Sequence, residues 1–392
     1  MLVMASLLMT ACVSSKNNHA DNRIVTGTID SLYSDILKEQ RKIWVYVPRT
    51  DRLFARKSFP VVYLLDGEAH FNSVMGLVQQ LSEVNMNMVL PQMIVVGIQN
   101  TDRTRDMTPT KDTMRGRTSG GGENFTLFLE KELIPYIDSH LPTNPYRILI
   151  GHSFGGLFCV NTLLNHTKLF NAYLAIDPST EWDKKLLVSQ ARTILSEKKF
   201  EGTSFFLSIA NQGYSDTDTS RDNASAFELA ACLDSNKRNG LNQRWQYYKD
   251  DNHGSVPLIS EYDGLRFIFD FYNPRISYAN FRNPSYDVES FINAHYSNVS
   301  IKMGFTVHPP ESLLNWLGYL YIMERQYQRS YNLFKMNIDN YPTSANAFDS
   351  MGELLLLQGD SLEALVNYEK SLAINPENVN ARNLIAKLKK HK

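Results

Sequence analysis

Residues 148–158 read Ile-Leu-Ile-Gly-His-Ser-Phe-Gly-Gly-Leu-Phe, which sets Ser153 between Gly151 and Gly155 at the G-x-S-x-G spacing. The apolar stretch before it (146–150) reads as a buried strand, and Gly155-Gly156 as the start of a helix. Two glycines permit a sharp, closely packed strand-to-helix turn, and such a turn lifts the serine hydroxyl clear of the strand end. The chemistry this suits is nucleophilic attack on a carbonyl carbon. A serine hydroxyl is a poor nucleophile at neutral pH. It needs a base within hydrogen-bond reach and a third group to orient that base.

The chain has nine histidines. When nucleophile, acid and base follow one another along a mostly parallel sheet, the histidine comes last. His253 fits that order, in the loop Lys249-Asp250-Asp251-Asn252-His253-Gly254-Ser255-Val256-Pro257 just after the last predicted strand. His152 is beside the serine and is expected to point elsewhere, and His70 follows the first central strand. The orienting acid is expected after the strand 205–209. The loop that follows carries Asp216, Asp218 and Asp222, and the next helix carries Glu228. Asp222 is the first choice because it sits where the loop enters the helix, where its side chain could also cap that helix. An oxyanion hole needs two backbone N–H groups aimed at the developing charge. One is expected from Phe154, the other from the loop Asp66-Gly67-Glu68-Ala69.

Two further side chains lie where a substrate could reach. Arg103 follows the second central strand, and it either holds an anionic or catechol group or braces its loop against Asp106. Trp182, after Asp177-Pro178-Ser179-Thr180, either floors an aromatic acyl pocket or belongs to the core. Residues 111–124, with Gly120-Gly121-Gly122, read as a candidate lid. No metal-ligand spacing and no cofactor motif is present, so none is expected.

The elements that must position these groups follow from the apolar pattern. Residues 23–33 and 41–47 alternate as an opening antiparallel pair. Short unbroken apolar runs at 61–65, 93–97, 148–150 and 172–176 suit buried parallel strands, and 205–209 and 244–248 read as two more. Helical patterns at 124–138, 154–165, 224–233 and 261–271 lie between them. Strands alternating with helices predict an α/β fold with a doubly wound, mostly parallel sheet over residues 23–275. Ligands in such sheets sit beyond the carboxyl ends of the strands.

At this point a resemblance becomes specific. Tyr63-Leu64-Leu65-Asp66-Gly67, Gly151-His152-Ser153-Phe154-Gly155-Gly156, Asp177-Pro178-Ser179 and His253-Gly254-Ser255-Val256-Pro257 together resemble the esterase family of α/β-hydrolases. That family includes enterochelin-type siderophore esterases, feruloyl and acetyl-xylan esterases, S-formylglutathione hydrolase and the mycolyltransferases. The resemblance covers roughly residues 24–272, and the His-Gly-Ser-Val-Pro loop is most similar to the siderophore-esterase branch. It implies a serine esterase working through an acyl-enzyme, with the amide of Glu68 in the oxyanion hole. The acid varies in the family, and some members work with Ser and His alone, so Asp222 stays open. The alternatives are an acyltransferase of the same fold, or a non-catalytic scaffold in which the hydrolase unit is relict. The expected substrate is a small-molecule or carbohydrate ester: siderophore, feruloyl or acetyl.

The two ends differ in character. Residues 1–11 form a short apolar run ending in small residues before Cys12, followed by the polar stretch Ser14-Ser15-Lys16-Asn17-Asn18. This resembles a lipoprotein signal peptide (1–11) cleaved before a lipidated Cys12 on a tether (12–22). It predicts a protein of the bacterial cell envelope, periplasmic or outer-membrane, touching the membrane through its anchor only. After a connector (276–308), residues 309–390 are helical throughout. Pro342 and Pro376 end successive units with the 34-residue tetratricopeptide period (376 − 342). Such repeats imply a protein partner. The formal net charge of −1 gives no electrostatic case for nucleic acid.

Overall fold

The computed structural model describes residues 24–49, 54, 57–112, 118–211, 223–283 and 285–390. Eight strands form one sheet in the order β1-β2-β4-β3-β5-β6-β7-β8. They are β1 (Thr28–Ser34), β2 (Glu39–Tyr46), β3 (Phe59–Leu64), β4 (Ile94–Ile98), β5 (Thr143–His152), β6 (Ala172–Ile176), β7 (Ser204–Ala210) and β8 (Asn242–Tyr248). β1 and β2 are antiparallel to each other, and β2 is antiparallel to β4. All pairs from β3 to β8 are parallel. Every residue of β3, β4, β6 and β7 is buried, as expected of parallel strands covered on both faces.

Period-two alternation divides the strands between two cores. Val61, Tyr63 and Leu65 face a cluster with Leu149, Phe158, Leu163 and Phe205. Val62 and Leu64 face the other side, with Ile148, Ile150, Val74 and Leu265. The first core lies under the helices Phe154–Asn165, Trp182–Glu197 and Ala224–Ser235, the second under Gly67–Ser82 and Val256–Ile268. The helix read from sequence at 261–271 begins earlier, at Val256, with Pro257 in its first turn, where no N–H is missed. The helix read at 124–138 runs from Gly122 to His140, with a π-helical segment at Leu129–Leu133.

Beyond Tyr272 the chain is all-helical, ending in Glu311–Met323, Tyr327–Asn340, Ala345–Leu357, Ser361–Ile374 and Val379–Lys390. One packing detail recurs. A Cβ on Gly318 would lie 2.2 Å from the Phe334 ring, and one on Gly352 would lie 3.0 Å from the Tyr368 ring. Each glycine seats an aromatic ring of the following helix, and the two pairs are one 34-residue period apart (352 − 318, 368 − 334). The helices nearest the sheet share its core, while Met351, Leu354, Tyr368 and Ile385 of the later ones form a cluster of their own. Val288, Ile292, Tyr296, Leu313, Leu314, Leu317 and Tyr321 share the second sheet core. Where they meet the amino ends of β3 and β5, a cavity of about 470 Å³ opens, lined by Phe59, Asn144, Tyr272, Phe305 and Trp316.

Candidate active site

The carboxyl ends of β3, β5, β6 and β8 carry the groups that could do chemistry. β5 ends at His152, and Ser153 takes φ 60° and ψ −115° before the helix Phe154–Asn165 begins. A side chain rarely occupies that region, so the turn must be held by its surroundings. The glycines make this possible by close approach. A Cβ on Gly151 would sit 2.4 Å from the Gly155 carbonyl oxygen, and one on Gly156 would sit 2.9 Å from that of Ile176. The Ser153 amide donates to the Ile176 carbonyl at 2.9 Å, and the Ser179 amide donates to the Ser153 carbonyl at 3.2 Å. The Ser153 and Ser179 hydroxyl oxygens are 3.4 Å apart.

His253 lies in the loop after β8. Asn252 shapes that loop by accepting from the amides of Gly254 at 2.9 Å and Ser255 at 3.1 Å. The Nδ1 of His253 is 2.5 Å from Oδ2 of Asp177. Asp177 directly follows β6, with φ 39°. Its amide donates to the Ser208 carbonyl at 3.0 Å, and its Oδ1 accepts from the Ala210 amide at 2.9 Å. One carboxylate oxygen is thus tied to the end of β7 and the other faces the imidazole, in a side chain only 3% exposed.

This differs from the acid expected from sequence. Asp222, like Asp216 and Asp218, lies outside the described residues, and Glu228 is engaged by Lys185 and Arg192 at 2.7 and 2.8 Å. The carboxylate beside His253 is Asp177, at the end of β6 rather than after β7. The signal was present in Asp177-Pro178-Ser179, where a buried apolar run gives way to an acid and a proline.

The loop expected to supply an oxyanion amide is locked against the serine turn. Asp66 has φ 53° and precedes the helix Gly67–Ser82. A Cβ on Gly67 would lie 2.5 Å from the Gly97 carbonyl carbon, so β4 passes directly beneath. The amides of Glu68 and Phe154 both fall in first helical turns, where no intrahelical acceptor exists. Asn100 donates to Asp66 Oδ1 at 2.7 Å and to Glu68 Oε1 at 3.0 Å.

Arg103 is a brace, but not against Asp106. Its guanidinium donates to Asp66 Oδ1 at 2.6 Å, to Asp66 Oδ2 at 2.9 Å and to the His152 carbonyl at 3.0 Å. It therefore ties the β3 turn to the residue before Ser153. Asp106 instead holds the buried Arg41 at 2.7 Å and Arg105 at 2.7 Å. Trp182 is buried, lies edge-on to Phe154 at 5.4 Å and donates from Nε1 to Thr110 Oγ1 at 3.1 Å. It belongs to the first core, the plainer of its two readings.

Sequence gave no reason to bring His152 and His70 to the site. The His152 ring centroid is 4.4 Å from that of His253, and the His70 centroid is 5.7 Å from that of His152. Burial, then the nearby His253 and His70, pushes the His152 pKa down to about 4. Among the described residues, no group of three or more His, Cys, Asp or Glu side chains could hold a metal ion. Cys12 and residues 113–117 of the candidate lid lie outside the described residues.

A doubly wound sheet with a serine elbow after β5 and a histidine–aspartate pair beside it defines the α/β-hydrolase class. Residues 34–253 match the model of the Esterase family, described as "Putative esterase", and the chain belongs to that family of ester hydrolases. It is 27% identical over 256 residues to the ferri-bacillibactin esterase BesA of Bacillus subtilis, a match covering 61% of this chain and 89% of that one. An IroE-like serine hydrolase from Shewanella oneidensis is 31% identical with a TM-score of 0.68, covering 79% of this chain and 98% of that one. An uncharacterised protein from Capnocytophaga ochracea, 18% identical, covers 93% of this chain and 99% of its own with a TM-score of 0.62. It shares the fold, the helical region included.

Proposed function

We propose that the protein hydrolyses a siderophore ester by a serine mechanism. Ser153 Oγ attacks the ester carbonyl, and His253 takes its proton. The amides of Glu68 and Phe154 receive the oxyanion. Collapse expels the alcohol, which His253 protonates, and water then releases the acid from Ser153 by the same steps. Asp177 holds His253 in the tautomer whose Nε2 can accept a proton. Arg103 keeps the two oxyanion amides in register by holding Asp66 and the His152 carbonyl together. One such donor is worth about 3–4 kcal/mol of transition-state stabilisation.

The observation that carries this reading is the 2.5 Å contact of His253 Nδ1 with a buried Asp177, just past the end of the strand that pairs with β5. The substrate class rests on the relatives, whose names include a ferri-bacillibactin esterase and a siderophore enterobactin esterase. The test is hydrolysis of a catecholate trilactone, beside aryl, feruloyl and acetyl esters, by the wild-type protein and Ser153→Ala. Hydrolysis of the trilactone ahead of the simple esters, abolished in S153A, is expected. An S153A protein as active as wild type would sink the mechanism, and indifference to the trilactone would sink the substrate class.

A further inference from the structure

Next to His253 stands a row of groups that this reaction does not use. Asp177 meets His253 at Nδ1, and a hydrogen bond at that ring atom does not by itself set the tilt of the imidazole. The His152 ring packs against it, with centroids 4.4 Å apart and planes inclined by 40°. His152 in turn meets His70 edge to face at 5.7 Å and 80°. The Nδ1 of His70 is 3.3 Å from Oε1 of Glu261.

Glu261 is the informative member. Its side chain is 0% exposed; neither oxygen meets hydrogen-bond geometry among the described residues, and His70 Nδ1 stands at ion-pair distance from Oε1. A buried carboxylate with so little compensation is costly, and an apolar side chain of similar size would fill the helix face without that cost. The His152 Nε2 is also buried and unbonded, so its ring is held by its neighbours rather than by a hydrogen bond at that atom. Burial keeps His152 neutral near pH 7, so it does not repel the imidazolium that His253 becomes. The row also links the elements that carry the site. Glu261 lies on the helix that follows the His253 loop, His70 on the helix that starts at the Asp66 turn, and His152 at the end of β5.

We propose that Glu261, His70 and His152 are positioning residues for His253: Glu261 fixes His70, His70 fixes His152, and the His152 ring stops His253 from swinging off its line to Ser153. The inference rests on the reading of Ser153 and His253 as nucleophile and base.

The test compares wild type, Glu261→Leu, Glu261→Gln, His152→Ala and the Leu/Ala double variant on an aryl ester. Labelling of Ser153 by a fluorophosphonate and the downfield proton resonance of the His253–Asp177 bond are followed alongside. E261L should fold, because leucine suits the buried site, and should lower kcat on the order of tenfold with KM unchanged. E261Q keeps an oxygen facing His70 and should recover most of that loss. H152A should reproduce the E261L defect, and the double variant should add nothing, since both act through one row. The downfield resonance should broaden in E261L and H152A. An E261L protein with wild-type kcat and labelling rate, or losses that simply multiply in the double variant, would overturn the proposal while leaving the serine mechanism standing. A wild-type protein that fails to label at Ser153 would overturn both.

Discussion

Replacing Asp177 by asparagine keeps the volume beside His253 and inverts the hydrogen bond. Oδ1 already accepts from the Ala210 amide, so an asparagine retaining that bond would turn its Nδ2 donor toward His253. The imidazole would then carry its proton on Nε2, where it cannot take one from Ser153. Loss of kcat by roughly 10³–10⁴ is expected for D177N, with Asp222→Asn near wild type. The reverse pattern in a burst assay would return the acid to the loop after β7. The proposed nucleophile and base were legible in the sequence because each sits in a local pattern: a glycine-flanked serine after an apolar run, and a histidine after the last strand. The carboxylate that meets His253 was not, because its place depends on how the chain pairs in space. β6 and β7 are neighbours, paired Ile176 with Ser208, so an acid after either strand starts about 5 Å from the other. Arg103 shows the same limit. Its sequence neighbour Asp106 was the natural partner, but the fold brings Asp66 to it from β3.

Single elements were read well where burial imposed an unbroken apolar run, as in β3, β4 and β6, and less well where boundaries depend on turns. In the helical region the sequence reading rested on spaced prolines, and at the same 34-residue spacing (352 − 318) two glycines each seat an aromatic ring. The two seats differ in depth. A methyl at Gly318 would meet Phe334 at 2.2 Å, and a methyl at Gly352 would meet Tyr368 at 3.0 Å. Neither glycine has a positive φ, so alanine is conformationally acceptable and improves helix propensity. Gly318→Ala should therefore lose about 1–3 kcal/mol through overpacking, and Gly352→Ala distinctly less. Urea denaturation of both variants checks the order, and equal stabilities would mean that the helices slide apart at no cost.

Over the whole molecule, the sheet and the terminal helices share apolar surface rather than merely touching. Leu313, Leu314, Leu317 and Tyr321 are fully buried and belong to the cluster that also contains Phe269, Tyr272, Ile292 and Val299. Tyr321 packs its ring 4.2 Å from that of Phe281, and Tyr341 donates to the Pro309 carbonyl at 2.9 Å, closing the junction. Burying one such large apolar side chain contributes about 1.5–3 kcal/mol. Four of them amount to a sum comparable with the 5–15 kcal/mol that separates a folded domain from its unfolded chain. A chain ending at residue 308 would uncover the other half of that contact. It should be recovered in poor soluble yield and should label slowly at Ser153, even though every group of the candidate site is still present. In calorimetry the full chain should unfold in one transition that includes the helices nearest the sheet. A soluble truncated chain that labels at the wild-type rate with an unchanged Tm would show instead that the hydrolase unit folds without its helices.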